Sequence, residues 1–188
     1  ETYLCLGPGF SSAANTPFRR HKTWVHEGGI STPFIVHWPK GIKARNKTRS
    51  TLGHVIDIAP TVMDLAGVKA GQKNAPPMSG RSLKSAFHKD EVTLHEELWF
   101  YHEGNRALRQ GDWKIIRSNV KRPFPWGTST EAATESINAE NWSLYHLTND
   151  RAEQNDLAKL HPERVKTMAA QWAQLVERFN QDANHGAR

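Results

Sequence analysis

Apolar residues along this chain change spacing from one segment to the next, and each spacing predicts an element. Thr32-Pro33-Phe34-Ile35-Val36-His37-Trp38-Pro39 is a short, nearly continuous apolar run between prolines and predicts a buried strand. Lys40 to Asn46 follows as a basic surface turn. Val62, Leu65 and Ala66 then fall at helical spacing. Pro60 fits only the first turn of a helix and Gly67 is a natural stop, so a helix is expected from Ile58. Residues 69–81 read as a loop, and Arg81 to His88 as one or two helical turns. From Glu96 the period drops to two, with Leu98, Phe100 and His102 alternating against Trp99 and Tyr101. Arg106 to Arg109 and Trp113 to Arg117 continue it across the turn signal Gln110-Gly111-Asp112, which predicts a three-strand meander. Residues 118–141 are polar and carry Pro123, Pro125 and Gly127, so a long loop is expected before a fourth strand over Trp142 to Leu147. Pro162 sits at a first-turn position. Val165, Met168, Ala169, Trp172, Leu175, Val176 and Phe179 then follow steps of three and four, an amphipathic helix whose stripe should pack on the sheet.

Residues 1–31 show no such period and read as loop. The opening ETYLCLGPGFSSAANTP has turn signals, no initiator Met and no signal-peptide pattern, and is expected to lie inside a longer chain.

Composition narrows the class. An apolar fraction of 37% with seven tryptophans argues for a folded protein and against disorder. No stretch approaches the roughly 20 apolar residues needed to cross a bilayer, so no membrane span is expected. The net charge of +6 is compatible with nucleic acid, an anionic surface or a small anionic substrate. Its basic residues form no long tract, so nucleic acid is not the expected partner. The densest groups are Arg19-Arg20-His21-Lys22 and Lys40 to Arg49, the latter read as solvated surface. Cys5 is alone, which excludes an internal disulfide and a Cys-based metal site.

Candidate chemistry concentrates in Lys22-Thr23-Trp24-Val25-His26-Glu27-Gly28-Gly29-Ile30-Ser31-Thr32-Pro33. Lysine is a compact cation with three donors, suited to anionic oxygen. Gly28-Gly29 permits a tight turn into the run at Thr32. A lysine on a loop at the end of a buried strand is a place where α/β enzymes put an active-site group. A solvated surface lysine fits the same residues.

This segment resembles the sulfatase family pattern K-x-x-x-x-E-G-G-I-x-x-P-x-I-x-x-W-P, through Lys22, Glu27, Gly28, Gly29, Ile30, Pro33, Ile35, Trp38 and Pro39. Three further blocks agree in order. His54 to Thr61 followed by Asp64-Leu65-Ala66-Gly67 resembles the family's D-I-x-P-T helix start. Arg106-Ala107-Leu108-Arg109-Gln110-Gly111-Asp112-Trp113-Lys114 resembles its R-A-[VL]-R-x-G-D-W-K hairpin. Leu144-Tyr145-His146-Leu147 to Asp150, with Glu153 and Asn155 to Ala158, resembles its L-Y-x-L-x-x-D-x-x-E-x-x-x-L-A segment. The resemblance covers roughly residues 15–180 and is to the arylsulfatase type, within the alkaline-phosphatase-like superfamily.

The resemblance implies an α/β core followed by a four-stranded antiparallel sheet packed on a long C-terminal helix. It places residues 1–90 at the end of the core and 91–188 in the subdomain. It implies hydrolysis of sulfate esters by a formylglycine made within a C/S-x-P/A-x-R motif, with Ca2+ holding the sulfate. No such motif occurs in this sequence, so formylglycine and all Ca2+ ligands are expected upstream of Glu1, and this chain alone should not turn over. The expected partners are a sulfate-ester small molecule or glycan and the rest of the sulfatase catalytic domain. The compartment is open, with a periplasmic or secreted location preferred for the whole protein.

Lys22 is the residue the resemblance carries over as catalytic, a sulfate ligand. Trp24, His26, His102 and Arg106 are candidate substrate-binding residues, and each also has a bland reading. Trp24 could stack on substrate or pack. His26 could line the mouth of the site or make a structural hydrogen bond. His102, Asn105 and Arg106 could reach the entrance or merely form a hairpin turn. Glu27 is read as bracing the Gly-Gly turn, His54 as bonding local backbone, and Asp57 as serving a helix N-terminus in preference to a metal. A phosphodiesterase or phosphonate hydrolase on the same scaffold, or a polyanion-binding module, remains the alternative.

Overall fold

A computed structural model describes residues 6–68, 78–118 and 142–185. The long loop expected over 118–141 and the loop over 69–81 therefore lie mostly outside the described residues, as does Cys5.

Four antiparallel strands form one sheet in sequence order: β1 (Glu97–His102), β2 (Asn105–Gln110), β3 (Trp113–Arg117) and β4 (Ser143–His146). The expected meander and fourth strand are both present. Gly111 turns the β2–β3 hairpin at φ +56°, in the left-handed region. The register pairs Ala107 with Ile116, Leu108 with Ile115 and Lys114 with Tyr145.

Both faces of this sheet are covered. The long helix, here α4 (Pro162–His185), lays Val165, Met168, Ala169, Trp172 and Leu175 on one face, against Leu108, Ile115 and Leu144. Trp172 is fully buried and stacks 5.7 Å from Trp99. On the opposite face Ala107, Ile116, Tyr145 and Leu147 pack with Val25, Ile30 and Phe100. The segment carrying Lys22 therefore sits on the sheet, and Lys114, in step with Ile116, points toward it.

Two expectations for the N-terminal third change. Residues 1–31 are not all loop, since α1 (Gly7–Ala14) and a single turn α2 (Glu27–Ile30) occur there. Pro8 pre-sets the first turn of α1, and the Asn15 amide donates to Ser11 O (2.6 Å) at its end, local stabilisation that leaves no long apolar stripe in the sequence. The strand expected over Thr32 to Pro39 is absent. Phe34, Val36 and Trp38 are exposed and Ile35 is 88% exposed; Trp38 O accepts from Gly41 N–H (3.1 Å) and Ile42 N–H (2.8 Å), a turn at the end of the run and not a strand ladder.

The chain divides into two compact units, residues 1–33 with 99–188, and residues 34–98. In the second, a 3-10 turn (Val55–Asp57) leads into α3 (Ile58–Leu65), and a further 3-10 turn spans Lys84–Phe87, as the helical spacing predicts. Asp57 is its buried hub. The carboxylate accepts from His54 N–H (2.7 Å) and Arg81 N–H (2.8 Å) and lies 2.9 Å from His95 Nε2. His54 completes a capping box with it, and burial lowers the His54 pKa. Asp64 pairs with Lys84 at 2.9 Å. Both aspartates thus act as structural anchors within the fold.

Candidate functional site

Lys22 is exposed, and its backbone is held in an unusual shape. Trp24 N–H donates to His21 O (3.1 Å), closing a turn with Lys22 and Thr23 at its centre. Thr23 has φ +86°, the sign that the third residue of a type II turn requires and that glycine usually supplies. A β-branched residue there costs about 1–3 kcal/mol and persists only where its surroundings hold it. Arg20, on the other side of Lys22, is also left-handed at φ +71°.

The holding contacts come from three directions. Asn105 Nδ2 donates to Thr23 O (3.2 Å). Gly28 N–H donates to Arg19 O (2.9 Å). The glycine pair is needed for close approach, not for positive φ. A Cβ on Gly28 would run into the Arg19 and Arg20 carbonyls, and one on Gly29 into those of Trp24 and His21. The loop 19–24 therefore rests directly on the backbone of α2.

Beneath that loop is a buried charge cluster. Lys114 Nζ donates to Glu27 Oε1 (2.9 Å) and to Glu153 Oε1 (2.8 Å), with side-chain exposures of 0%, 2% and 0%. Glu153 Oε2 accepts the Glu27 N–H (2.8 Å) at the start of α2. Arg19 Nη1 donates to Glu153 O (3.0 Å) and to the Tyr145 hydroxyl (3.4 Å). Burial pushes the Glu153 carboxyl above its ordinary range, while Lys114 and the Glu27 N–H pull it down.

Three cations lie within four residues, but two of them are engaged. Arg19 is bonded as above, and the Arg20 guanidinium lies 4.4 Å over the Trp24 ring. No group among the described residues pairs with the Lys22 ammonium. His26 is 4% exposed, and its pKa falls to about 3, chiefly through burial and then through Lys114, Arg19 and Arg20. It is neutral at any working pH, and its Nδ1 has no hydrogen-bond partner among the described residues.

Lys22, Trp24, His26 and Asn105 are thus brought together. His102 is on the exposed β1–β2 hairpin, 3.9 Å from Glu103. Arg106 is buried in β2 on the opposite face of the sheet, its guanidinium 5.2 Å from Trp172. Sequence reasoning took Glu27 as a brace but missed its partners Lys114 and Glu153. Both stand inside a quoted family block. Among the described residues no group of three or more His, Cys, Asp or Glu could hold a metal ion.

The site is thus an exposed, basic loop resting on the four-stranded antiparallel sheet. Residues 19–117, more than half of the chain, match the family described as N-sulphoglucosamine sulphohydrolase, C-terminal, and the chain belongs to that family. It is 30% identical over 183 residues, 92% of its length, to an uncharacterized sulfatase of Schizosaccharomyces pombe, and covers 29% of that protein. It is 28% identical over 152 residues to an N-acetylgalactosamine-6-O-sulfatase of Bacteroides thetaiotaomicron, covering 81% of this chain and 28% of that one. A solved structure described under glycosaminoglycan metabolism by Bacteroides thetaiotaomicron superposes with a TM-score of 0.64 at 27% identity, over 87% of this chain and 32% of that one. The chain thus spans about a third or less of the length of the proteins it matches.

Proposed function

We propose that the whole protein hydrolyses sulfate esters, and that this chain contributes a sulfate-binding lysine and part of the wall of the substrate pocket. The observation that carries this is Lys22: an exposed cation with no protein partner among the described residues, on a strained loop anchored from three directions, within the matched family segment. Its ammonium would bind non-bridging sulfate oxygens and balance the charge that builds on the leaving oxygen as the S–O bond breaks. His26, being neutral, adds shape and a hydrogen bond but no charge. Trp24, braced by Arg20, and the exposed His102 are further wall residues.

Formylglycine and Ca2+ belong to this reading as contributions from outside the chain. No group of three or more His, Cys, Asp or Glu among the described residues could hold the metal. The exposed apolar run Phe34 to Trp38 supports an interface with the rest of the catalytic domain, residues 1–90 being the end of that core and 91–188 its subdomain. The relatives' names favour a sulfated sugar as substrate. No helix among the described residues is long and apolar enough to cross a membrane.

The test is Lys22→Ala in the whole protein, assayed with a chromogenic aryl sulfate and with a 6-sulfated amino sugar. Loss of one preorganised charge partner should lower kcat/KM by about 10²–10³-fold. Turnover like that of the unaltered protein would refute the assignment.

A further inference from the structure

We propose that Lys114, Glu27 and Glu153 are positioning residues for Lys22: a buried ion cluster, assembled from three distant parts of the chain, that fixes the shape of the sulfate-binding loop. The inference rests on the Lys22 reading and goes beyond it, to residues that touch no substrate.

The argument is geometric. Lys114 stands on β3, on the face of the sheet that receives the loop segment. Its ammonium is bonded to two carboxylates, and each carboxylate leads to the loop by a different route. Glu27 is the first residue of α2, so its position sets Gly28 and Gly29, against which the carbonyls of residues 19–24 rest. Glu153 bonds the Glu27 N–H through its carboxylate, and its own carbonyl accepts from Arg19, three residues before Lys22. Glu153 is itself left-handed at φ +56°. Asn105 adds a separate, uncharged tie at Thr23.

Simple stabilisation explains this arrangement poorly. Three ionised side chains at 0–2% exposure are costly to bury, and an apolar cluster of the same volume would hold the sheet at least as well. What ionic bonds add is direction. Hydrogen bonds at 2.8–2.9 Å fix the height and rotation of α2 in a way that apolar contact does not. The loop above needs that definition, since Arg20 and Thr23 both sit at positive φ and would relax if α2 shifted.

A double-mutant cycle in the whole protein tests this, with turnover of an aryl sulfate as the readout. The variants are Lys22→Ala, Glu27→Gln and the two combined. Glu27→Gln keeps the shape of the side chain and removes its charge. We expect Glu27→Gln to lower kcat at least about 10-fold when Lys22 is present, and to have no further effect in the Lys22→Ala protein, because a residue that acts through Lys22 cannot act without it. A general loss of folded protein would lower both backgrounds equally. Glu153→Gln, which removes the charge from the other carboxylate of the cluster, repeats the cycle should Glu27→Gln not accumulate as folded protein. Equal losses in both backgrounds for Glu27→Gln, or for Glu153→Gln in its place, overturn the positioning role while leaving Lys22 as sulfate ligand. No loss from Lys22→Ala overturns the functional reading and this inference with it.

Discussion

Removing the cation at the centre of the buried cluster is the sharpest perturbation the structure offers. Lys114→Met keeps the length and apolar stem of the side chain and deletes one charge. Two contacts, at 2.8 and 2.9 Å, disappear at once. At an effective dielectric of about 20 each is worth ~6 kcal/mol before desolvation. Desolvation offsets much of that in the intact protein, but the variant keeps two buried carboxylates, with only the exposed Arg151 guanidinium left, 3.7 Å from Glu27. Breaking a buried pair in this way costs about 3–5 kcal/mol. The loss should depend on pH, with a definite sign. Burial already raises the Glu153 carboxyl, and Lys114 is the strongest influence pulling it back. Without Lys114 the folded-state value rises further above the unfolded one. A raised carboxyl contributes stability that is present below its unfolded pKa and lost as pH rises through its folded pKa. The deficit of Lys114→Met should therefore be larger near about pH 7.5 than near about pH 5. Hydrogen exchange of the β3 and β4 amides in the whole protein reads the local opening free energy at both pH values. A deficit below ~1 kcal/mol that does not change with pH would show that the cluster holds little, and would remove the physical basis for calling it a positioning device.

Gly29→Ala should lower aryl sulfate turnover at least about 10-fold while β3 amide protection persists, because its Cβ meets the Trp24 and His21 carbonyls and forces the Lys22 turn away; turnover within twofold of normal would mean the loop adjusts freely. His26 predicts an acid limb of stability: its folded pKa of about 3 lies below its ordinary 6.5, so the unfolded chain binds the extra proton and stability falls as pH drops through that window, by at most ~1.4 kcal/mol per pH unit. His26→Phe should flatten that limb in a urea titration, and an unchanged slope would refute the buried, neutral assignment.

Legibility in the sequence followed the range of the contacts. The meander and α4 were readable because their signals are local: a period of two ending at Gly111, and a stripe of three and four beginning after Pro162. Residues 32–39 show the opposite case. An apolar run states that something covers it, but not what; among the described residues no strand pairs with it and Phe34 and Ile35 stay exposed, so the run forms no strand. Helix α1 was missed because its stabilisation is a first-turn proline and one side-chain cap, with no long apolar stripe to betray it.

The buried cluster falls between these cases. Ile115 and Ile116 are adjacent, so they point to opposite faces of β3, and two apolar residues in succession imply that both faces are covered. Lys114 precedes them on the same strand and must therefore be buried, and a buried lysine requires an anionic partner. That much follows from Trp113-Lys114-Ile115-Ile116 alone. The partners do not, since Glu27 and Glu153 lie 87 and 39 residues away and become neighbours only once the loop segment is laid on the sheet. Each was visible as part of a family block, and each block was read for its own turn or strand. The geometry lies in their meeting: two carboxylates on Lys114 hold the backbone on which the Lys22 loop rests.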